Sequence, residues 1–160
     1  MARAVKVVAH LLDHPRWPLL IYPGAVTQIA PETFEELFTR NQWPAAWRNG
    51  VHPFHHFHSN GHEALGIYSG DVTVQFGGDD GVTVTAKPGD VIVLPAGTKH
   101  KKLSSRGALG VVGAYPQGSA ADLCMGFQKL DIKKVVQVPL PAADPVFGAD
   151  GPLFTYWRAA

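Results

Sequence analysis

Residues 50 to 70 read GVHPFHHFHSNGHEALGIYSG, and residues 89 to 100 read GDVIVLPAGTKH. The first stretch holds five of the chain's eight histidines, one glutamate and an apolar run closed by glycine. From Gly50 to about Tyr115 the chain is a succession of such runs: FHHFH, EALGIYSG, DVTVQFGG, GVTVTAKPGD, VIVLPAG and ALGVVGAY. Short Val- and Ile-rich segments cut by Ser-Gly-Asp, Gly-Gly-Asp-Asp-Gly and Pro-Gly-Asp predict strands joined by tight turns. An antiparallel sandwich or barrel follows, in which Gly70, Gly77, Gly78, Gly81 and Gly89 serve turn dihedrals.

Side chains alternate across a strand. His56 and His58 therefore share one face, with Phe54 and His52 on the same parity, while His55 and His62 fall on the other and are expected at a surface or interface. After the turn signal Ser-Asn-Gly, Glu63 begins the next strand, where its carboxylate can return to the face of the histidine pair. The second dense motif ends in His100, which supplies a fourth convergent group. Imidazoles with a carboxylate suit one divalent ion such as Fe, Mn, Ni or Zn, and a lone cysteine, Cys124, argues against thiolate sites and excludes an internal disulfide. The blander alternative is a set of hydrogen-bonded strand histidines. Several unpaired imidazoles inside a barrel would be costly, which favours ligation.

These residues carry a resemblance. Gly50, His56, His58, Glu63 and Gly70 stand at the intervals of the first motif of the cupin superfamily, and Gly89, Pro95, Gly97 and His100 at those of the second. Ser104 replaces the asparagine that closes the second motif, a turn position and not a ligand. The stretch WPAAWRNGVHPFHHFHSNGHEALG and the tail VPLPAADPVFGADGPL further resemble the small bacterial YjlB-type cupins. The resemblance implies an all-β, RmlC-like jelly-roll barrel with a metal at its mouth held by His56, His58, Glu63 and His100, and pairing into a homodimer. It implies no particular reaction.

Around the barrel, LLIYP reads as one more strand and PETFEELFTRN as a peripheral helix. Pro31 suits its first turn, Glu32, Glu35 and Glu36 lie toward its positive end, and Phe34, Leu37 and Phe38 share a face. Trp43 and Trp47 are expected to pack and seal an edge. After Tyr115 the prolines exclude a central strand or long helix, so residues 116–160 should form a tail wrapping the surface. With no repeat or linker, residues 1–160 read as a single domain: an N-terminal extension at 1–49, a core at about 50–115 and the tail.

Composition narrows the role. Lys and Arg number 14 against 13 Asp and Glu, a net charge of +1, which gives no electrostatic reason to expect nucleic acid or a membrane surface as partner. No run of eighteen apolar residues occurs, and Lys6, His10 and Asp13 interrupt the first segment, so neither a spanning helix nor a signal peptide is expected; a cytoplasmic location follows. A small-molecule ligand is the expected partner. Nucleophile-elbow, phosphate-loop and dinucleotide signatures are missing. Two roles stay open: a metal-dependent enzyme of dioxygenase, isomerase or lyase type acting on a small oxygen-rich molecule, and a non-catalytic metal or ligand-binding module. For the first, His52 is the visible nominee for a general base, and Lys102, on the parity of His100, for holding a substrate carboxylate or phosphate. Both have a plain alternative, His52 behind the bend of Pro53 and Lys102 in a solvated KHKK loop.

Overall fold

A computed structural model describes residues 2–159. Its elements are β1 (Val8–His10), β2 (Leu19–Tyr22), α1 (Pro31–Arg40), β3 (Ala45–Asn49), β4 (His56–Phe57), β5 (Glu63–Phe76), β6 (Val82–Ala86), β7 (Val91–Leu94), β8 (His100–Ala114), β9 (Cys124–Met125), α2 (Ile132–Val135) and α3 (Leu153–Tyr156). Among the described residues the strands join in the order β1-β2-β7-β5-β8-β4-β9, with β3 added to β8 and β6 to β5, and every pairing is antiparallel. This is an all-β jelly roll with α1 at its flank. No described helix is long and apolar enough to cross a membrane.

The period of two sorts the sheet's residues between two cores. Leu19, Ile21, Leu65, Ile67, Ile92, Leu94 and Val111 face inward with Val72, Val74 and Phe76. Leu20, Tyr22, Ala64, Val91, Val93, Val112 and Ala114 face outward, yet they too are buried, under Phe34, Leu37 and Phe38 of α1 and under Leu153 and Trp157 of the tail. Each of those three helix side chains contributes roughly 2 kcal/mol by leaving water, more than the propensity of a ten-residue helix could supply alone. Pro31 occupies the first turn as its fixed φ favours.

Several expectations are corrected. Ser69-Gly70-Asp71 is not a turn between two strands but a bend within the continuous β5, whose register against β8 shifts between Ile67 and Ser69 and again between Ser69 and Asp71. Extra residues taken up as bulges bend a strand without ending it. The segment FHHFH is strand only at His56–Phe57. Parity leads one to expect Phe54 and some of Val72, Val74, Val91 and Val93 to line the interior; Val72 and Val74 do so, Val91 and Val93 lie in the outer core, and Phe54 is only half-buried.

The tail does more than wrap. Asp144, fully buried, accepts the Tyr22 hydroxyl at 2.6 Å, the N–H groups of Val146 and Phe147 at 2.8 and 3.0 Å, and that of Leu153 at 3.0 Å. Trp157 stacks on Trp17 at 5.4 Å between ring centroids and donates its indole N–H to the Pro18 carbonyl at 2.8 Å. The C-terminal segment therefore forms part of the outer core, tied to β2 by a buried carboxylate whose hydrogen bonds offset its desolvation.

Candidate metal centre

Three imidazoles meet at the open end of the inner face. His56 leaves from β4, His58 from just beyond it and His100 from the first position of β8, directly opposite His56 in register. Each ring is oriented by a backbone carbonyl: Nδ1 of His56 lies 3.0 Å from the Phe54 oxygen, that of His58 2.5 Å from Asp122, and that of His100 3.0 Å from Thr98. A carbonyl only accepts, so each Nδ1 carries a proton and, in the neutral ring that ligation requires, Nε2 keeps its lone pair for the cavity. The three ligand nitrogens lie within 4.8 Å of one another, against the roughly 3 to 3.5 Å that separates three nitrogens sharing one ion at the usual imidazole distance. The rings would draw together on seating the ion.

Glu63 opens β5 on the same inward parity as Leu65 and Ile67 and is 2% exposed. Its Oε2 lies 3.4 Å from Nε2 of His58 and its Oε1 3.3 Å from Nε2 of His100. Oε1 is buried without a well-formed hydrogen bond, an acceptor aimed where the imidazole lone pairs converge. The donor set, three neutral nitrogens and one carboxylate, fits a borderline divalent ion. Protonation without metal is uneven. Burial, with His100 beside it, pushes His56 down to about 3; burial also disfavours charge on His58, but Glu63 and the Asp122 carbonyl outweigh it and raise that ring to about 9. Burial raises Glu63 in turn, and its contacts with His100 and His58 overcome this, holding the carboxyl well below its ordinary range.

The four residues border a 340 Å³ cavity that His52 and Lys102 also line. His52 sits exposed at its rim, edge-on to His56 at 4.9 Å and stacked on Phe54 at 4.8 Å. Lys102 follows His100 by one strand repeat, and its backbone N–H donates to the His52 carbonyl at 2.9 Å. His55 points away, into a second cavity with Phe54, Lys99 and Phe127, where its Nε2 meets Asp79 at 2.8 Å. His62 is not at a surface: it is fully buried between Trp17 and Trp157, accepts the Ala96 N–H at 2.9 Å and faces the Pro139 carbonyl at 3.0 Å. Its parity is opposite to that of Glu63, as the alternation demands, but the opposite face is covered by the tail.

Three contributors, Trp47, Tyr115 and Asp122, lay outside the sequence motifs. Tyr115 and Trp47 form one cavity wall, the indole N–H donating to the phenol oxygen at 2.9 Å. Trp47 lies flat on Gly113, where an added Cβ would come within 2.1 Å of the indole ring. Tyr115 could have been found by continuing β8 past Val111 and Gly113 in steps of two. Asp122 fixes His58 from the tail: its carbonyl holds Nδ1, its carboxylate binds Ser59 through the N–H at 2.7 Å and the hydroxyl, and its own N–H donates to Asn60 at 2.9 Å. A carbonyl acceptor leaves no side-chain signature. Gly97, at φ +88°, turns the chain so that its N–H reaches the His58 carbonyl at 2.7 Å, binding the loop before His100 to the segment carrying His58.

The protein YjlB of Bacillus subtilis (strain 168) is 39% identical over 148 residues, covering 91% of this chain and 88% of its own. This chain belongs to the YjlB-type cupins. No family model matches it. A crystal structure of a DUF861 family protein from Thermotoga maritima, at 22% identity and a TM-score of 0.35, covers 68% of this cupin and 97% of its own chain.

Proposed function

We propose that His56, His58, Glu63 and His100 hold one divalent metal ion, Fe, Mn, Ni or Zn, and that this cupin is a metal-dependent enzyme of dioxygenase, isomerase or lyase type acting on a small oxygen-rich molecule. The observation that carries the reading is the shared orientation of three imidazoles: every Nδ1 is engaged by a carbonyl and every Nε2 is free to face one point beside a buried, under-bonded carboxylate. A bound divalent ion supplies Lewis-acid polarisation of an oxygen ligand. The chain's own residues do the rest. Trp47 and Tyr115 wall the cavity, Leu65 and Val51 give it a dry floor, and His52 at the rim stands where a general base could exchange protons with solvent. Lys102 offers a positive charge one strand step from the site.

The polar groups beyond the four ligands favour catalysis over a metal that merely braces the barrel, because a bracing ion needs none of them. The non-catalytic binding module is the reading to which a negative result would return. In the same reading the protein acts in the cytoplasm as a homodimer, which light scattering of the purified chain would test. The decisive functional experiment is anaerobic loading with Fe(II), Mn(II), Ni(II) or Zn(II), followed by a screen of small hydroxy and oxo acids for oxygen uptake or isomerisation. Turnover lost in His52→Gln with metal content unchanged would support the enzyme; no turnover with any metal would favour the binding module.

A further inference from the structure

The charges lining the 340 Å³ cavity are unbalanced. Among the described residues Glu63 is the one carboxylate on its wall, and it faces His58 and His100. Lys102 is half-buried on the same wall, and among the described residues it makes no ion pair. The nearest tie of Lys102 is through its backbone, to His52, which fixes the strand and leaves the ammonium group uncompensated. A lysine partly withdrawn from water without a counter-ion seeks an anion. The remaining lining adds neutral donors and an aromatic wall, Asn49, Trp47 and Tyr115, and no second acid.

We propose that the cavity takes a small dicarboxylate, one end chelating at the four-residue centre and the other held by Lys102. The proposal rests on the metal reading above. A divalent ion, less the charge of Glu63 and plus that of Lys102, leaves two positive charges, which a dianion neutralises. Spacing favours a short ligand. The Cα atoms of His100 and Lys102 are one strand repeat apart, about 6.6 Å, on one face, and the flexible lysine stem adjusts the reach. A 2-hydroxy or 2-oxo dicarboxylic acid of roughly three to five carbons suits that spacing within a cavity at the small end of ligand pockets. A monocarboxylate would satisfy the centre and leave the ammonium group bare.

The test uses the full chain loaded with Co(II), whose visible absorption reports the ligands around the ion. Racemic malate and racemic lactate share the chelating 2-hydroxy carboxylate and differ in the distal carboxylate. Inorganic phosphate and glycerol serve as anionic and neutral controls. Malate should bind about 10- to 100-fold more tightly than lactate, the increment of one charge-assisted contact. In Lys102→Met the ratio should fall to near one, with the ligand-free spectrum unchanged as evidence of a folded site; Lys102→Arg should retain most of it. A malate preference that survives Lys102→Met overturns the proposal, as does phosphate binding as tightly as malate or no response to either acid. If Co(II) itself gives no bound spectrum, the metal reading falls and takes this proposal with it, whereas bound Co(II) without anion preference refutes the dicarboxylate alone.

Discussion

Acid should unfold this cupin through His14, outside the candidate metal centre. His14 is fully buried, its Nδ1 accepts the N–H groups of Arg16 and Trp17 at 3.2 and 3.0 Å, and its ring stacks on Trp17 at 4.9 Å. Nδ1 is therefore the unprotonated nitrogen, and adding a proton there would break both bonds. Burial, assisted by the charge of Arg16, pushes the group from 6.5 down to about 4. Because the folded value is the lower one, the unfolded chain takes up the proton first as pH falls. The stabilisation is complete above pH 6.5, is lost progressively between 6.5 and 4, and changes no further below. A displacement of about 2.5 pH units corresponds to about 3 kcal/mol, a large fraction of the stability of a domain this size. Asn at this position keeps an acceptor for the two N–H groups and cannot titrate. Urea unfolding followed by tryptophan fluorescence, with chelator present, should show the stability difference between pH 7 and pH 4 smaller by about 3 kcal/mol in His14→Asn than in the parent. Titrating groups that do not face His14, His56 among them, act equally in both proteins and cancel. An identical pH dependence in parent and variant would refute the assignment.

Three further outcomes follow from the packing and the site. Asp144→Ala strands three buried donors and one part-buried donor and should cost about 3–5 kcal/mol in urea unfolding; a loss under about 1 kcal/mol would show that the tail is not held through this carboxylate. Gly113→Val drives a methyl group into the Trp47 ring and should cost about 1–3 kcal/mol while leaving metal uptake intact, since no ligand rests on that contact; unchanged stability would contradict the close approach. His58→Ala should abolish tight metal binding whereas His55→Ala, whose ring faces Asp79 in another cavity, should leave it near that of the parent, and equal loss by elemental analysis would contradict the separation of the two rings.

The jelly roll was legible because its sequence signals are local: valine-rich alternation, glycine punctuation and the motif intervals from Gly50 to Gly70 and from Gly89 to His100. The juxtaposition of His56, His58, Glu63 and His100 was legible for the same reason, although β4 is too short for strand alternation to explain it; carbonyls of Phe54, Asp122 and Thr98 orient the rings instead. What alternation could not reveal was the identity of the medium on each face. It correctly set His62 against Glu63, but solvent does not lie on that second side. Helix α1 and the tail cover it, and the tail's signal is weak because its prolines suppress any period. Asp122, Asp144 and Trp157 act over separations of 64 to 139 residues, through a carbonyl, a buried carboxylate and a stacked ring, none of which leaves a pattern in the local sequence. The Ser69-Gly70-Asp71 bend misled for a related reason: the residues that make a turn also make a bulge, and the partner strand decides between them.

Elemental analysis shows most plainly whether these four side chains hold one metal ion. The protein should be purified without an affinity tag or chelator, beside the His56→Ala/His58→Ala variant. The account predicts about one equivalent of Fe, Mn, Ni or Zn in the parent and almost none in the variant. A parent without metal, taking up none when divalent ions are added to the folded protein, would contradict it.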